Sequence, residues 1–176
     1  MKKTISILLF IIGVSLHAQV AIGKDNVTNA SVSLEFSDTE NKGLILPYIE
    51  DKSGITTDGT IIYDTTDHKM KYLKDGNWAN LSEDDGTADT IGTADLTIQT
   101  GKTDQATARV TIGTNGDTDT TPGILILTDD NKAMILPKVA SPHLNIINPA
   151  AGMMVYDTVA KQLVVYNGKV WSFWKP

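Results

Sequence analysis

An all-β architecture, two tandem copies of a small hairpin-rich unit joined by an acidic linker and extra strands, follows from three features of the chain. The first is internal repetition at a nearly fixed spacing. Val20-Ala21-Ile22-Gly23 recurs as Val110-Thr111-Ile112-Gly113, and Asn41-Lys42-Gly43-Leu44-Ile45-Leu46-Pro47 recurs as Asn131-Lys132-Ala133-Met134-Ile135-Leu136-Pro137, both 90 positions on. Gly59-Thr60-Ile61-Ile62-Tyr63-Asp64-Thr65 recurs as Gly152-Met153-Met154-Val155-Tyr156-Asp157-Thr158, and Trp78 as Trp171, 93 positions on. The second copy therefore carries a three-residue insertion between Pro137 and Gly152. The second feature is composition: Thr, Asp, Asn and Gly are abundant and the apolar residues are mostly Ile, Leu and Val, the profile of short strands joined by tight turns. The third is periodicity, which alternates at two and nowhere after Gln19 sustains an amphipathic helix of normal length.

The chain opens with Lys2 and Lys3, an apolar run from Ile5 to Leu16, and Leu16-His17-Ala18 before Gln19. That layout predicts a signal peptide over residues 1–18, cleaved after Ala18, on a run too short to span a bilayer. Repeat 1 is assigned to 19–81, a linker with short strands to 82–106 and repeat 2 to 107–176. Val32, Leu34 and Phe36 alternate with Ser31, Ser33, Glu35 and Ser37, which predicts a strand with one apolar face. A turn at Ser37–Asn41, matched by Thr128–Asn131, leads to Leu44-Ile45-Leu46 and Met134-Ile135-Leu136. These runs are apolar on both faces and are expected to be covered on both sides. Pro47 and Pro137 lack an amide hydrogen and end the ladder. Thr60–Tyr63 and Met70–Leu73 form a hairpin around Asp64-Thr65-Thr66-Asp67. Asp75-Gly76 and Asn167-Gly168 mark tight turns, and Trp78 and Trp171 close each unit as core residues. Pro47, Tyr63, Trp78, Pro137, Tyr156 and Trp171 are thus the anchors of the repeat. Ser82–Thr87 reads as an acidic linker or exposed loop, Leu96 and Ile98 as a short strand, and Ala108, Val110 and Ile112 as another. A unit of roughly 60 residues buries a marginal core, so the copies are expected to pack on each other or on other chains.

Composition and motif content narrow the function. The net charge is −6 and Arg109 is the only arginine, which argues against nucleic acid and anionic membrane surfaces as partners. The chain has no cysteine, and beyond the leader only His68 and His143 could serve as imidazole ligands, so no zinc site is expected. No G-x-S-x-G elbow occurs, and Gly101-Lys102-Thr103 lacks the first glycine of a phosphate loop. Asp64 and Asp157 head hairpin turns, where a carboxylate accepts from backbone amides two residues on. Asn115–Asp119 begins like a calcium loop, but Thr120 and Ile126 stand where that loop needs glycine and glutamate. The expectation is a protein without enzymatic activity, cofactor or metal.

The blocks Lys-Gly-Leu-Ile-Leu-Pro, Gly-Thr-Ile-Ile-Tyr-Asp-Thr and Asp-Gly-Asn-Trp, with Tyr166-Asn167-Gly168-Lys169-Val170-Trp171 in the second copy, resemble the repeats of Bacteroidetes-type secreted surface proteins, and similar segments occur in phage tail-fibre-like proteins. The resemblance covers most of both repeats but not Ser82–Ala106. It implies an extracellular, fibrous or adhesive protein, often trimeric, and not an enzyme. Tyr48 and Lys138 stand where that family has an arginine after the proline, and Ser141-Pro142-His143 interrupts the segment that follows. Asp-Thr followed by Thr or an aliphatic residue recurs at Thr65, Thr90, Thr120 and Thr158, and looks like the O-glycosylation acceptor motif of exported proteins of that type.

Two functions follow as expectations. One is a structural or accessory subunit of a cell-surface assembly, whose partners are other surface proteins or copies of itself, as in a homotrimer. Phe173 and Trp174 in the aromatic tail are its candidate contacts. The alternative is an adhesion module for carbohydrate or host surface, with Tyr48, His143 and Trp174 as candidate platforms.

Overall fold

The computed structural model describes residues 19–105 and 107–174, so the leader expected over 1–18 lies outside the described residues. Repeat 1 contributes β1 (Val20–Ile22), β2 (Val32–Phe36), β3 (Leu44–Ile45), β4 (Tyr48–Ile49), β5 (Ile61–Asp64), β6 (Lys69–Lys74) and β7 (Asn77–Asn80). Repeat 2 contributes the matching series: β8 (Val110–Ile112), β9 (Leu125–Leu127), β10 (Ala133–Ile135), β11 (Lys138–Val139), β12 (Met153–Asp157), β13 (Gln162–Tyr166) and β14 (Trp171–Trp174). The described residues are all-β apart from one helical turn, α1 (Pro142–Asn145), inside the insertion of repeat 2.

Each repeat folds as two layers of pairing. The second half is a meander: β4-β5-β6-β7 in repeat 1 and β11-β12-β13-β14 in repeat 2. Its first pair is parallel and the rest antiparallel. The proline anchors serve through their carbonyls: Tyr63 N–H donates to Pro47 C=O and Tyr156 N–H to Pro137 C=O, both at 2.9 Å. Asp75 and Gly76 both have positive φ, as a two-residue hairpin turn requires, and the Asp58 carboxylate accepts from their amides at 3.0 and 3.1 Å. Trp78 and Trp171 are half-buried; the Trp171 ring lies 4.9 Å from that of Tyr166, against the core built on Val139, Met153, Val155 and Val164.

The first half of each repeat is a parallel pair, β1 with β2 and β8 with β9, in matching register. Here the repeats exchange strands. β10 of repeat 2 adds in parallel to β2 of repeat 1, and β3 of repeat 1 adds antiparallel to β12 of repeat 2. A shared core follows, built from Leu46, Tyr63 and Met70 of repeat 1 and Ala151, Met154 and Val165 of repeat 2. The expectation that a lone unit cannot cover its apolar surface is met by this mutual packing.

Three sequence expectations need correction. β2 has no solvated face: Ser33 and Glu35 are as buried as Val32 and Leu34. Glu35 is tolerated there because Lys24 pairs with it at 2.8 Å and the Thr28 hydroxyl donates to it at 2.6 Å. Burial alone would raise its pKa; the Lys24 and Thr28 bonds win and hold it at about 2. Leu44-Ile45-Leu46 is not covered throughout, since Ile45 is 48% exposed while Leu46 is buried. Leu96 and Ile98 form no strand; Gln99 and Thr100 N–H groups donate to Leu96 C=O and the chain turns, leaving Ile98 exposed. Beyond Thr87 the linker packs against repeat 2 and the shared core. Asn167 Nδ2 donates to Thr90 C=O at 2.9 Å, Gly92 is pressed against the Asn167 carbonyl, and Ala94 packs on the shared core.

Candidate functional site

The surface that joins the repeats is the most elaborately built feature of the molecule. Repeat 1 presents β2, β3, Leu46, Tyr48 and Tyr63; repeat 2 presents β10, the start of β12, Ala151, Gly152 and Asn167. Tyr63 is fully buried and its hydroxyl donates to Asn167 C=O at 2.9 Å. Tyr48 meets Tyr63 edge-on with ring centroids 5.5 Å apart and donates to Ala151 C=O at 2.9 Å. Leu46 N–H donates to Gly152 C=O at 3.0 Å, extending the β3–β12 ladder. Gly152 has φ +74° and a Cβ there would stand 3.2 Å from Tyr63 Cβ and 3.3 Å from Tyr48 Cε1, so both conformation and proximity require glycine. Gly43 is required for a separate reason: its Cβ would collide with the Met153 side chain.

Several of these groups have open counterparts in the other repeat, whereas Leu136 and Ile61, the counterparts of Leu46 and Met154, pack on the shared core. Tyr156, in the place of Tyr63, is 36% exposed. Gly59, in the place of Gly152, has φ +85° and nothing within 4 Å of its would-be Cβ. β9, in the place of β2, has no third strand among the described residues, and Leu125 is 43% exposed where Leu34 is 1%. Thr60 and Ile61, in the place of Met153 and Met154, take no partner like β3, because β4 pairs with β5 only at Tyr63 and Asp64. Part of the face that repeat 1 turns to repeat 2 is thus duplicated and open on repeat 2, and part of the receiving face is duplicated and open on repeat 1.

The other sequence-derived candidates are dispersed. Asp64 and Asp157 lie at separate hairpin turns. Asp64 is buried, accepts from Thr66 N at 3.0 Å, and pairs with Lys52 at 2.6 Å and Lys71 at 3.4 Å. Burial opposes its ionisation, yet Lys52 and Thr66 hold its pKa well below the usual carboxylate range. Asp157 is buried too, and accepts from the Ser141, Val159 and Ala160 amides at 3.1, 2.8 and 3.1 Å. Burial would raise its pKa, but these amide bonds keep it lowered. Both are turn carboxylates.

Of the Asp-Thr positions, Thr120 and Thr158 are exposed, whereas Thr65 donates to Ile49 C=O at 3.1 Å and Thr90 bonds the Asp85 carboxylate. Phe173 and Trp174 are partly exposed but belong to β14, paired with Val164 and Leu163, so they are not a free tail. Trp174 Nε1 donates to Leu81 C=O, and the Phe173 ring meets His143 edge-on at 5.5 Å. Tyr48, His143 and Trp174 are therefore each engaged at different places and form no common platform. Among the described residues no group of three His, Asp or Glu side chains is placed to hold a metal, and no helix is long and apolar enough to cross a membrane.

Residues 111–175, the greater part of repeat 2, match the family model described as a phage tail like trimerisation region. No curated protein and no solved structure matches the chain. The match agrees with the resemblance to phage tail-fibre-like segments.

Proposed function

We propose that this chain is a non-enzymatic structural subunit of an extracellular or cell-surface fibre-like assembly, held together by contacts between copies of its repeats. The observation that carries the reading is the unequal burial of Tyr63 and its counterpart Tyr156, the latter inside the stretch similar to a trimerisation region. Exposing an aromatic ring, an uncharged sheet edge and an unoccupied glycine on matching faces leaves apolar surface that association would remove from water. Export, glycosylation at Thr120 or Thr158, and a homotrimer as the basic unit are parts of this proposal. Sedimentation equilibrium of the chain from Gln19 tests it: an oligomer at micromolar concentration is expected, and a monomer throughout would overturn it.

A carbohydrate-binding reading keeps one specific support. A shallow groove of about 530 Å³ runs beside Trp78, with Ile55 and Leu73 on its apolar side and Glu50, Asp51 and Lys52 along its rim. An aromatic ring beside carboxylates suits a sugar ring. Specific glycan capture that is lost in Trp78→Ala would favour this second reading.

A further inference from the structure

We propose that the open face of repeat 2 receives repeat 1 of a second copy of this chain, head to tail, with the strand exchange already made inside each chain. The inference rests on the self-association reading above and names its partner and register. The internal joint supplies the template. β3 of the second copy adds in parallel to β9, with Leu44 opposite Leu125 and Ile45 opposite Ile126, as Met134 and Ile135 lie opposite Leu34 and Glu35. β10 of the first copy pairs antiparallel with the start of the second copy's β5, placing Ile135 opposite Thr60 as Ile45 lies opposite Met153.

Two complementary exchanges of residues argue that the second joint is used. Inside the chain Gly43 faces the large Met153 side chain, with no room for a Cβ. At the open joint the same positions hold Ala133 and Thr60: the small residue has grown by a methyl and its partner has shrunk. Inside the chain Tyr48 donates to the Ala151 backbone. At the open joint those positions hold Lys138 and Asp58, residues of opposite charge that this docking would bring together. Residues 124–127 of the β9 edge carry no charge and no proline, the devices that ordinarily protect an edge from pairing. A contact between unlike faces closes into a ring or extends as a fibre.

The test uses two full-length single variants, Thr60→Cys and Ile135→Cys, in a chain that has no cysteine of its own. An Ile45→Cys/Met153→Cys variant, bridging the equivalent internal pair, is the control for disulfide geometry. The mixed Thr60→Cys and Ile135→Cys sample is expected to yield a heterotypic covalent dimer on mild oxidation, with neither variant linking to itself. An oligomer that gives no mixed disulfide, while the control bridges, overturns the head-to-tail pairing and leaves self-association standing. A monomer overturns both. Leu125→Lys, on the exposed edge, is expected to disperse the oligomer at an unchanged monomer melting temperature; an undiminished oligomer would count against the proposal.

Discussion

Tyr63 and Tyr156 occupy the same position in two copies of one unit, follow the same proline carbonyl and precede the same Asp-Thr turn, yet one is sealed in a core and the other reaches solvent. The same holds for β2 and β9: equivalent in register to their parallel partners, one central and buried, the other an edge. Local sequence builds both copies alike. What separates them is the neighbour, because repeat 1 has repeat 2 against this face, while among the described residues nothing takes the same place beside Tyr156 and β9. The burial of a residue here is a property of the joint, and comparing the copies measures what the joint contributes.

The largest expected contrast is between Tyr63→Ala and Tyr156→Ala. Removing a buried aromatic costs about 3–5 kcal/mol, so Tyr63→Ala should come close to unfolding the chain, while Tyr156→Ala should cost under about 1 kcal/mol at dilutions where the chain is monomeric. Urea unfolding of both variants checks this, and equal losses would break the comparison. Next come the glycines. Gly152→Ala faces both an unfavourable φ and the Tyr63 and Tyr48 rings, and should cost about 2–3 kcal/mol; Gly59→Ala meets only the backbone strain, about 1 kcal/mol.

A smaller contrast concerns acid. Glu35 in β2 is equivalent in register to Ile126 in β9, so only the filled joint contains a buried carboxylate. Its pKa is held at about 2 in the fold, below the ordinary glutamate value. The stabilisation is therefore fully present above about pH 4.5 and is lost as pH falls towards 2. Glu35→Gln should lose about 2 kcal/mol at neutral pH and show a flatter dependence of its unfolding midpoint between pH 4.5 and 2.5. Least of all, Lys138→Glu should leave monomer stability within about 0.5 kcal/mol and weaken association several-fold at low salt, an effect that added salt erases.

The duplication was legible because its blocks recur in order, and the hairpins were legible because Asp75-Gly76 and the Asp64 and Asp157 turns carry their own chemistry. The exchange between repeats was not. β3 and β10 are two and three residues long, too short for any period to tell a strand that pairs within its unit from one that crosses to the next. Glu35 read as the polar side of a half-buried strand, since Lys24 and Thr28, its partners, lie several residues away in sequence. Gly92 and Ala94 carried no pattern that would mark the linker as packed. Of the candidate surface, Tyr63 and Tyr156 were visible as anchors, but identical motifs concealed their opposite surroundings. The aromatic tail pointed to Phe173 and Trp174 as contacts detachable from the fold. Their pairing in β14, and the bond from Glu83 N–H to the Ser172 hydroxyl at 2.8 Å, mean that truncation at Ser172 would damage the second meander itself.

Hydrogen exchange read by peptide mass spectrometry over a series of protein concentrations tests the account most directly. Val32–Phe36 of β2 should be strongly protected at every concentration, because its third strand comes from the same chain. Leu125–Leu127 of β9 should exchange quickly when dilute and become protected as concentration rises, together with Thr60–Ile61 and in step with the appearance of the oligomer. Rapid exchange of Leu125–Leu127 at all concentrations, in a sample shown to be oligomeric, would contradict the claim that the empty joint is where copies meet.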